Sequence, residues 1–461
     1  MKWQAGVCLA LLLPGMAMAT SLEEATRAVM EMTLRANDGP ASEPRSGEAG
    51  LTLDEVLQLA LRDNLGLASK GVALQGRQAS TSASYRKMLP TLTLTTNRSD
   101  ILLNTVAAGS RAETFGSTAT LTQPVYRGGA LWDGWKAAEI QERQAQLDLQ
   151  HAARSLTRDV KAAWYALLEK QELLKEAEAA MTRLHQHEKN AQAFFREGRI
   201  WRNEILQANV KVAQGEQNLI TAQNQVELAR AELNRLMRRP LDHPLEPKGE
   251  LSWTPLNWTL EQAYEHARKN RKDLEKSHLD VQVGQLTESI TGSATRPQVT
   301  LTGAYSLDSP SSSYHENDAV MTAVLSASWT AWNWGQTSQE VKAAKANTFK
   351  SQLAYDDQLQ TVLLETRKAF LSAREAAKKV EVIKKSLQQS EENYRVNQIR
   401  YQEQLGSATD VLDAMDLLTN SRNNHTSALA AYLTALSTLD LAVGVEPQEG
   451  DKHASDPGKR P

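Results

Sequence analysis

The 461-residue sequence is poor in cysteine, in aromatic residues and in net charge. Its one cysteine, Cys8, provides neither a disulfide framework nor a CxxC-type zinc site. Lysine and arginine number 52 against 55 aspartate and glutamate, so no strong field attracts a nucleic acid. Beyond the N-terminus, no apolar run approaches the roughly 20 residues of a membrane-spanning helix. A β-barrel is not excluded, because its strands barely register on hydropathy.

Motifs of catalysis and cofactor binding are also missing. The chain has no GxxxxGK[ST] loop and no convergent set of His, Asp, Ser and Cys, which argues against an enzyme, a cofactor or a metal centre. His185 and His187 invite a metal interpretation, but on a helix they point roughly 200° apart, so a solvated face is favoured.

The N-terminus has the pattern of a secretory signal peptide over residues 1–19. Lys2 precedes an apolar core from Val7 to Leu13, and a small-x-small cleavage site ends at Ala19. Cys8 lies inside the apolar core, so no lipid anchor is expected on it. Residues 20–50 and 446–461 are rich in Pro, Gly, Ser and charge, and we predict that they are mobile.

An internal duplication organises the rest of the chain. Five pairs of segments recur in the same order, 206 or 207 positions apart: LTLDEVL with WTLEQAY, LPTLTLT with RPQVTLT, YRGG with NWGQ, VKAAW with TRKAF, and EILQA with DVLDA. They predict a first repeat over residues 51–240, a Pro-rich linker over 241–257 and a second repeat over 258–445.

Each repeat has the pattern helix, two strands, very long helix and return helix. The first helices are predicted over residues 51–86 and 259–289, with caps at Thr52 and Thr259. Strands are predicted over about 90–125 and 297–331. From about 128 to 195 and from 335 to 401 nothing breaks a helix, and each such helix would be close to 100 Å long.

The return helices show a strict seam in which large and small residues alternate. In the second repeat the seam runs through Val411, Ala414, Leu418, Ser421, His425, Ala428, Tyr432, Ala435, Leu439 and Ala442. Small seam residues let helices approach side by side, which favours a broad helical wall. His425 is either packed in that seam or sensitive to pH.

The strands alternate apolar with small polar residues. This alternation suits a wall with lipid on one side and water on the other, and it also suits a sheet packed on a helix. Four strands do not close a membrane barrel, so in the first case further copies of the chain must complete it.

The duplicated plan resembles the TolC-like outer-membrane efflux proteins over residues 51–445. The segments that carry the resemblance are LTLDEVLQLALRDN, LTQPVYRGG, LNRLMRRPLDHPLEP and YQEQLGSATDVLDA. The resemblance implies a mostly α-helical chain with a transmembrane β-barrel, in which a homotrimer forms a 12-stranded barrel in outer-membrane lipid and a 12-helix tunnel in the periplasm of a Gram-negative bacterium.

The function that the resemblance implies is passive export. Substrate would enter from an inner-membrane transporter of the RND or ABC type, joined through a periplasmic adaptor. Drugs, metal ions and secreted proteins, as in type I secretion, all remain open as cargo. The alternative from another class is a non-channel periplasmic coiled-coil adaptor or structural protein, which would not carry two matching strand pairs.

The resemblance also places an acidic entrance at the periplasmic tips. Asp410 and Asp413 match the family's DVLDA stretch, where acidic rings narrow the channel, and Glu204 occupies the equivalent position in the first repeat. Threefold repetition would crowd these carboxylates and raise some of their pKa values. A solvated pair of acids near a helix start is the alternative.

The tips themselves depart from the family pattern of aromatic-x-x-Gly-Leu. The adaptor-docking candidates are Phe195, Gly198, Arg199, Gln404, Leu405 and Gly406. Gly406 stands where well-known members have a basic latch residue, so Tyr401, Arg199 and Arg202 become the latch candidates.

Aromatic residues gather where strands end. Trp329, Trp332 and Trp334 follow the last strand, and Tyr126 and Trp132 lie at the corresponding end of the first pair. They suit either an aromatic belt at the membrane interface or packing at the junction of barrel and helices.

Overall fold

A computed structural model describes residues 50–100, 113–309 and 319–445. The elements of the first half are α1 (Leu53–Asp63), α2 (Leu65–Arg86), β1 (Thr91–Asp100), β2 (Glu113–Arg127), α3 (Ala130–Arg196) and α4 (Arg202–Leu236). Those of the second half are α5 (Leu260–Asn270), α6 (Lys272–Gly292), a 3-10 turn (Ser293–Thr295), β3 (Gln298–Ser309), β4 (Ala319–Ser328), α7 (Gln336–Gln402) and α8 (Ala408–Val443). The mostly helical, duplicated fold is confirmed. The signal peptide, residues 20–49 and the C-terminal tail lie outside the described residues.

The chain contains two compact units. One comprises residues 50–64 with Ala166–Glu250, and in it α4 packs on the second part of α3. At that contact a side chain on Gly215 would come within 2.8 Å of Leu184, so the small residue of the seam permits the close approach. The other unit comprises Leu65–Tyr165 with 251–445 and holds the sheet. Its core joins Phe370 of α7 to Leu439 and Val443 of α8.

The strands form one antiparallel sheet in the order β1-β2-β3-β4. Thr91 pairs with Thr122, Thr122 with Thr302, and Thr302 with Val324. The register of β2 against β3 shifts between Pro124 and Tyr126. The alternating segments of the sequence are therefore strands, as predicted, and the hydrogen-bonded strands extend beyond them.

The two very long helices are confirmed, since α3 and α7 contain 67 residues each. The return-helix seam is also confirmed in α8, where eight of its ten predicted positions are buried. His425 and Ala435 are the two that are half-buried. The period of the apolar residues was sufficient to find which face of α8 packs.

The caps of the first helices follow the sequence pattern. Thr52 accepts from the backbone N–H of Glu55, whose carboxylate accepts from the backbone N–H of Thr52. Thr259 and Gln262 repeat this capping box at the start of α5. Both boxes satisfy amide groups that a helix start leaves without partners.

The predicted single helices over 51–86 and 259–289 are wrong, because each is two helices. The chain leaves the helical conformation at Asn64 and Arg271, where ψ is 125° and 118°. Asn64 Nδ2 donates to the carbonyl of Leu236 at 3.0 Å, and Arg271 Nη1 donates to that of Ala442 at 3.4 Å. Each break thus supplies a donor to the last turn of a return helix, whose carbonyls lack helical partners.

The two breaks differ in charge. Asn64 donates a neutral hydrogen bond to the carbonyl of Leu236, whereas buried Arg271 also donates to Asp273 and Glu365, with its Nη2 at 2.6 Å from a carboxylate oxygen of each. Burial on its own raises the pKa of Asp273, but the hydrogen bonds and charge of Arg271 outweigh it and hold that pKa below its usual value. The break of the second repeat is therefore held by an ion network.

Helix α8 is more similar to a membrane-spanning helix, in length and hydropathy, than the sequence analysis indicated. Among the helices that the structure describes, it alone is long and apolar enough to cross a membrane by length and composition. Half of its most apolar stretch is buried inside the chain. The buried part packs within the chain, where Leu429 and Tyr432 belong to one buried cluster with Val380 of α7.

Candidate functional site

One face of the sheet is apolar across all four strands. The register brings Leu92 beside Leu121, Gly303 beside Leu121 and Ala323, and Tyr305 beside Ala119 and Met321. No other described residue covers these side chains, and Leu94 and Met321 are 75% and 83% exposed. Such a patch is costly in water, so its environment in the working protein must be apolar.

The opposite face is lined with hydroxyl groups. Its residues in the central part of the sheet are Thr91, Thr93, Thr95, Thr118, Thr120, Thr122, Thr300, Thr302, Ala304, Ser306, Val320, Thr322, Val324 and Ser326. None of them is charged. Threonine suits both the extended backbone and contact with water, so this face is built to be wetted without a fixed charge.

Both outer strands have an unpaired edge within the described residues. β1 pairs only with β2, and β4 pairs only with β3. Their free backbone groups need partners wherever water is excluded. Since β1 and β4 run in opposite directions, the β4 edge of one copy matches the β1 edge of another in antiparallel pairing.

The two helical tips share one backbone conformation. Gly198 and Gln404, which are 206 positions apart, have φ of +71° and +62°. The residue after each donates its N–H to the carbonyl five positions back, from Arg199 to Phe194 at 2.9 Å and from Leu405 to Arg400 at 2.7 Å. This is a left-handed helix C-cap, for which Gly198 is well suited and Gln404 is strained.

The acids of the second tip begin α8. Asp410 completes a capping box: Ser407 Oγ accepts from the N–H of Asp410, and the Asp410 carboxylate accepts from the N–H of Ser407 at 3.0 Å. That backbone hydrogen bond lowers the pKa of Asp410. Asp413 is exposed one turn later. In the single chain Asp410 thus has a structural role as well as a charge.

The first tip has no such cap. Trp201 stands at the N-cap of α4, where the second repeat has Ser407, and makes no side-chain cap hydrogen bond. Its side chain is 81% exposed. An alignment of the two repeats at an offset of 206 residues pairs Trp201 with Ser407. The acidic residues alone do not reveal this difference. Glu204 is half-buried at the position equivalent to Asp410.

The first tip is also basic. Arg199 lies over the ring of Phe194 at 5.9 Å and pairs with Glu197 at 2.7 Å. Phe195 is exposed, and Arg202 is exposed at the start of α4. At the first tip, the predicted docking residues Phe195 and Arg199 therefore present an exposed aromatic and an exposed guanidinium group.

We expect Trp201→Ser to stabilise the start of α4. Serine followed by Glu204 at the third helical position recreates the box that Ser407 makes, which is worth about 1 kcal/mol. Hydrogen exchange of the first-turn amides of α4 should slow about fivefold. Trp201→Ala is the matched control, because it removes the indole without adding a cap. Equal exchange in the two variants would contradict this account.

Other predicted residues are placed differently. Tyr401 is only 5% exposed, so its ring packs inside the tip. At Gly406 a side chain would lie 3.3 Å from Arg400 Cβ. His185 is exposed and His187 is buried, and burial lowers the pKa of His187. Within the described part of the chain, no three His, Cys, Asp or Glu side chains gather as a metal site would need.

Comparison with known proteins points to one family. The family model described as outer membrane efflux protein matches residues 56–237 and 263–445. No curated protein sequence matches the chain at a significant level.

Three solved structures share its fold. The CmeC outer membrane channel of Campylobacter jejuni is 17% identical, with a TM-score of 0.76 over 88% of this chain and 89% of that one. VceC of Vibrio cholerae is 16% identical, with a TM-score of 0.74 over 85% and 96%. The open state of the Neisseria gonorrhoeae MtrE channel is 18% identical, with a TM-score of 0.73 over 85% and 88%.

Proposed function

Because the chain belongs to the outer membrane efflux protein family, we propose that three copies of it form a passive export channel. The chain lies in the outer membrane of a Gram-negative bacterium and extends into the periplasm. In the proposed trimer, the four strands of each copy close one barrel and the long helices continue it as a tunnel. A periplasmic adaptor and an inner-membrane transporter supply the substrate.

The two-faced sheet carries this proposal. Its apolar face suits the hydrocarbon of a bilayer, and its hydroxyl face suits a water-filled lumen. Because the described hydroxyl face has no charge in its central part, we expect that part of the barrel not to select between cations and anions. Selection by charge then falls to the acids at the tip.

Contacts between copies are available along the helices. Helix α7 carries an exposed apolar stripe on one face, formed by Phe349, Leu353, Leu364, Leu371 and Val382. Helix α4 carries another, formed by Leu206, Val210, Ile220 and Leu228. Two different stripes favour head-to-tail contacts, which close into a ring.

The proposed entrance is lined by Asp410 and Asp413. In a ring of three, these residues place carboxylates around one axis, which favours cations over anions. Arg199 and Arg202 of the first tip are proposed as latch and docking residues beside Phe195. An adaptor or spacer protein would give no role to the apolar sheet face, and no observation favours that alternative.

Neighbouring residues of β2 give a matched test. We expect Leu121→Arg to block membrane insertion, because each copy would carry a cation into the lipid at a cost of about 2–4 kcal/mol near the bilayer midplane. Thr120→Arg places the same side chain on the hydroxyl face, so the trimer should insert. The amount of heat-resistant trimer extracted from outer membranes measures the effect of Leu121→Arg on insertion.

Planar-bilayer recordings measure the effect of Thr120→Arg on the channel. Channels of Thr120→Arg should have lower conductance and weaker cation preference than the unaltered protein, since three arginines would face the lumen. Insertion of Leu121→Arg with failure of Thr120→Arg would reverse the assignment of the two faces and refute the proposed barrel.

A further inference from the structure

Helix α7 carries a stretch of positive charge that the first repeat lacks. We call residues 367–385 the basic segment. Its charged residues are all exposed, and they are Arg367, Lys368, Arg374, Lys378, Lys379, Lys384 and Lys385 with Glu375 and Glu381. The equivalent residues 161–179 of α3, 206 positions earlier, hold three cations and four acids. The duplication of the chain therefore does not account for this charge.

The cations of the basic segment have no acidic partner in their own chain. Within the described residues none of the seven forms an ion pair, whereas Arg395 and Arg422 pair with Glu392 and Glu391. Like charges four residues apart on a helix, such as those at positions 374 and 378, repel each other. An acidic surface outside the chain would relieve this repulsion.

Four of the cations lie on one line along α7. Their spacings of seven, four and seven residues put them on one side of the helix, and they are Arg367, Arg374, Lys378 and Lys385. The exposed apolar residues Leu371 and Val382 follow two of them by four residues, so the apolar stripe of α7 borders this line. Val380 points the opposite way and belongs to one buried cluster with Leu429 of α8. The charged line therefore faces away from α8.

Helix α4 has acids in the matching arrangement. Glu216 and Glu227 are exposed, and Ile220 and Ala231 follow them by four residues. Glu216 forms no ion pair within the described residues, and Glu227, which pairs with Arg230 at 2.7 Å, keeps 64% of its side chain exposed. When antiparallel helices pack along their apolar stripes, the flanks on the same side of each stripe meet. The acids of α4 can therefore meet the cations of α7.

The charges also lie at matching distances from the helix ends. Lys378 lies 24 residues before the end of α7, and Glu227 lies 25 residues after the start of α4. Lys385 and Glu216 lie 17 and 14 residues from the same two ends. From the helical rise per residue, the two mismatches are about 1.5 Å and 4.5 Å along the axis, which a lysine side chain spans.

We propose that the basic segment of α7 docks on α4 of a second copy of the chain and fixes the axial register of the two helices. The inference rests on the proposed export channel, in which both tips lie at one end of the tunnel, so that α7 and α4 run antiparallel. The apolar stripes supply the contact, but aliphatic residues alone tolerate a shift along the axis. The ion pairs at the edge of the stripes select one register and one orientation.

An exchange of charges between the two helices tests the pairing. One variant is Lys378→Glu with Lys385→Glu, the second is Glu216→Lys with Glu227→Lys, and the third combines all four changes. Each double variant should reduce the amount of heat-resistant trimer by about fivefold, because like charges then meet at every contact between copies. The combined variant should restore the trimer.

Lys384→Glu is the matched control for the charge exchange. Lys384 precedes Lys385 in the sequence but lies about 100° away around the helix, so its reversal should leave the amount of trimer unchanged. A combined variant that does not recover, or a control that loses as much trimer as the double variants, would overturn the pairing.

Cysteine cross-linking locates the contact directly. The one cysteine of the chain, Cys8, lies in the predicted signal peptide. After mild oxidation, Lys378→Cys with Glu227→Cys should give covalent dimers and trimers that survive boiling and disappear on reduction. Lys384→Cys with Glu227→Cys should give monomers.

The cross-linking result is separable from the export function. Monomers alone from the first cysteine pair, in preparations of heat-resistant trimers that conduct ions, would overturn the docking and leave the export channel standing. If the unaltered protein gave neither trimers nor conductance, the export channel itself would be refuted.

Discussion

Replacing Asp410 and Asp413 together by Asn is expected to lower the preference of the channel for cations by about tenfold and to raise its conductance. In the proposed ring of three, the carboxylates of both acids face the narrowest part of the channel. Their neutralisation removes the electric field that concentrates cations and holds divalent ions there. Reversal potentials in a salt gradient, recorded with single channels in a planar bilayer, measure the permeability ratio. Block by a divalent cation from the periplasmic side should weaken in parallel.

Asparagine is the right substitution because of the capping box. Its side-chain oxygen still accepts from the N–H of Ser407, so helix α8 keeps its start, whereas alanine at 410 would remove that cap together with the charge. Asp413→Asn alone is the cleanest variant, since Asp413 has no part in the box. Glu204→Gln, at the equivalent position of the first repeat, should have a smaller effect, because Gln207 stands there in place of the second acid. An unchanged permeability ratio in the double variant would refute the entrance assignment.

Arg271→Ala is expected to cost about 3 kcal/mol of unfolding free energy, toward the lower end for a broken buried ion pair. The change leaves Asp273 mostly buried without its cation and removes a donor to the last turn of α8. The partial exposure of Glu365 keeps the loss from being larger. Urea unfolding of the purified protein, followed by far-ultraviolet circular dichroism, measures the change.

Asn64→Ala supplies the control at the equivalent break. It removes the neutral hydrogen bond to the carbonyl of Leu236, for which we expect a cost of about 1 kcal/mol. Because the pKa of Asp273 is depressed in the folded chain, its stabilisation is present above the unfolded pKa and is lost as pH falls through the folded pKa. The cost of Arg271→Ala should therefore shrink in acid, and the cost of Asn64→Ala should not. Equal costs for the two would contradict the ion-network account.

Periodicity and duplication were sufficient to predict most of the fold. Period-two threonines marked the strands, the long stretches without a helix-breaking residue marked α3 and α7, and alternating large and small residues marked the packed face of α8. The breaks at Asn64 and Arg271 were not visible, because both residues lie inside helical patterns. At each break the side chain donates a hydrogen bond to a carbonyl about 170 positions away, and no local propensity reports such a contact.

The tips were predicted in part. The sequence Ser407-x-x-Asp410 is a capping-box pattern, so the structural role of Asp410 could be predicted from the sequence. The sequence analysis interpreted Asp410 by its charge instead. The exposed Trp201 was available only by comparing the repeats position by position. The arrangement of acids around an axis was out of reach, because it depends on neighbouring copies rather than on one chain.

The open edges of β1 and β4 have a consequence for cells that make a normal and an altered copy together. A copy whose β1 edge is blocked still offers its β4 edge, so it joins a ring and leaves that ring unclosed. With equal amounts and random mixing in the proposed rings of three, only about one eighth of the rings contain normal copies alone. We therefore expect damage at one strand edge to be dominant over the normal copy, and a copy that fails to fold to be recessive.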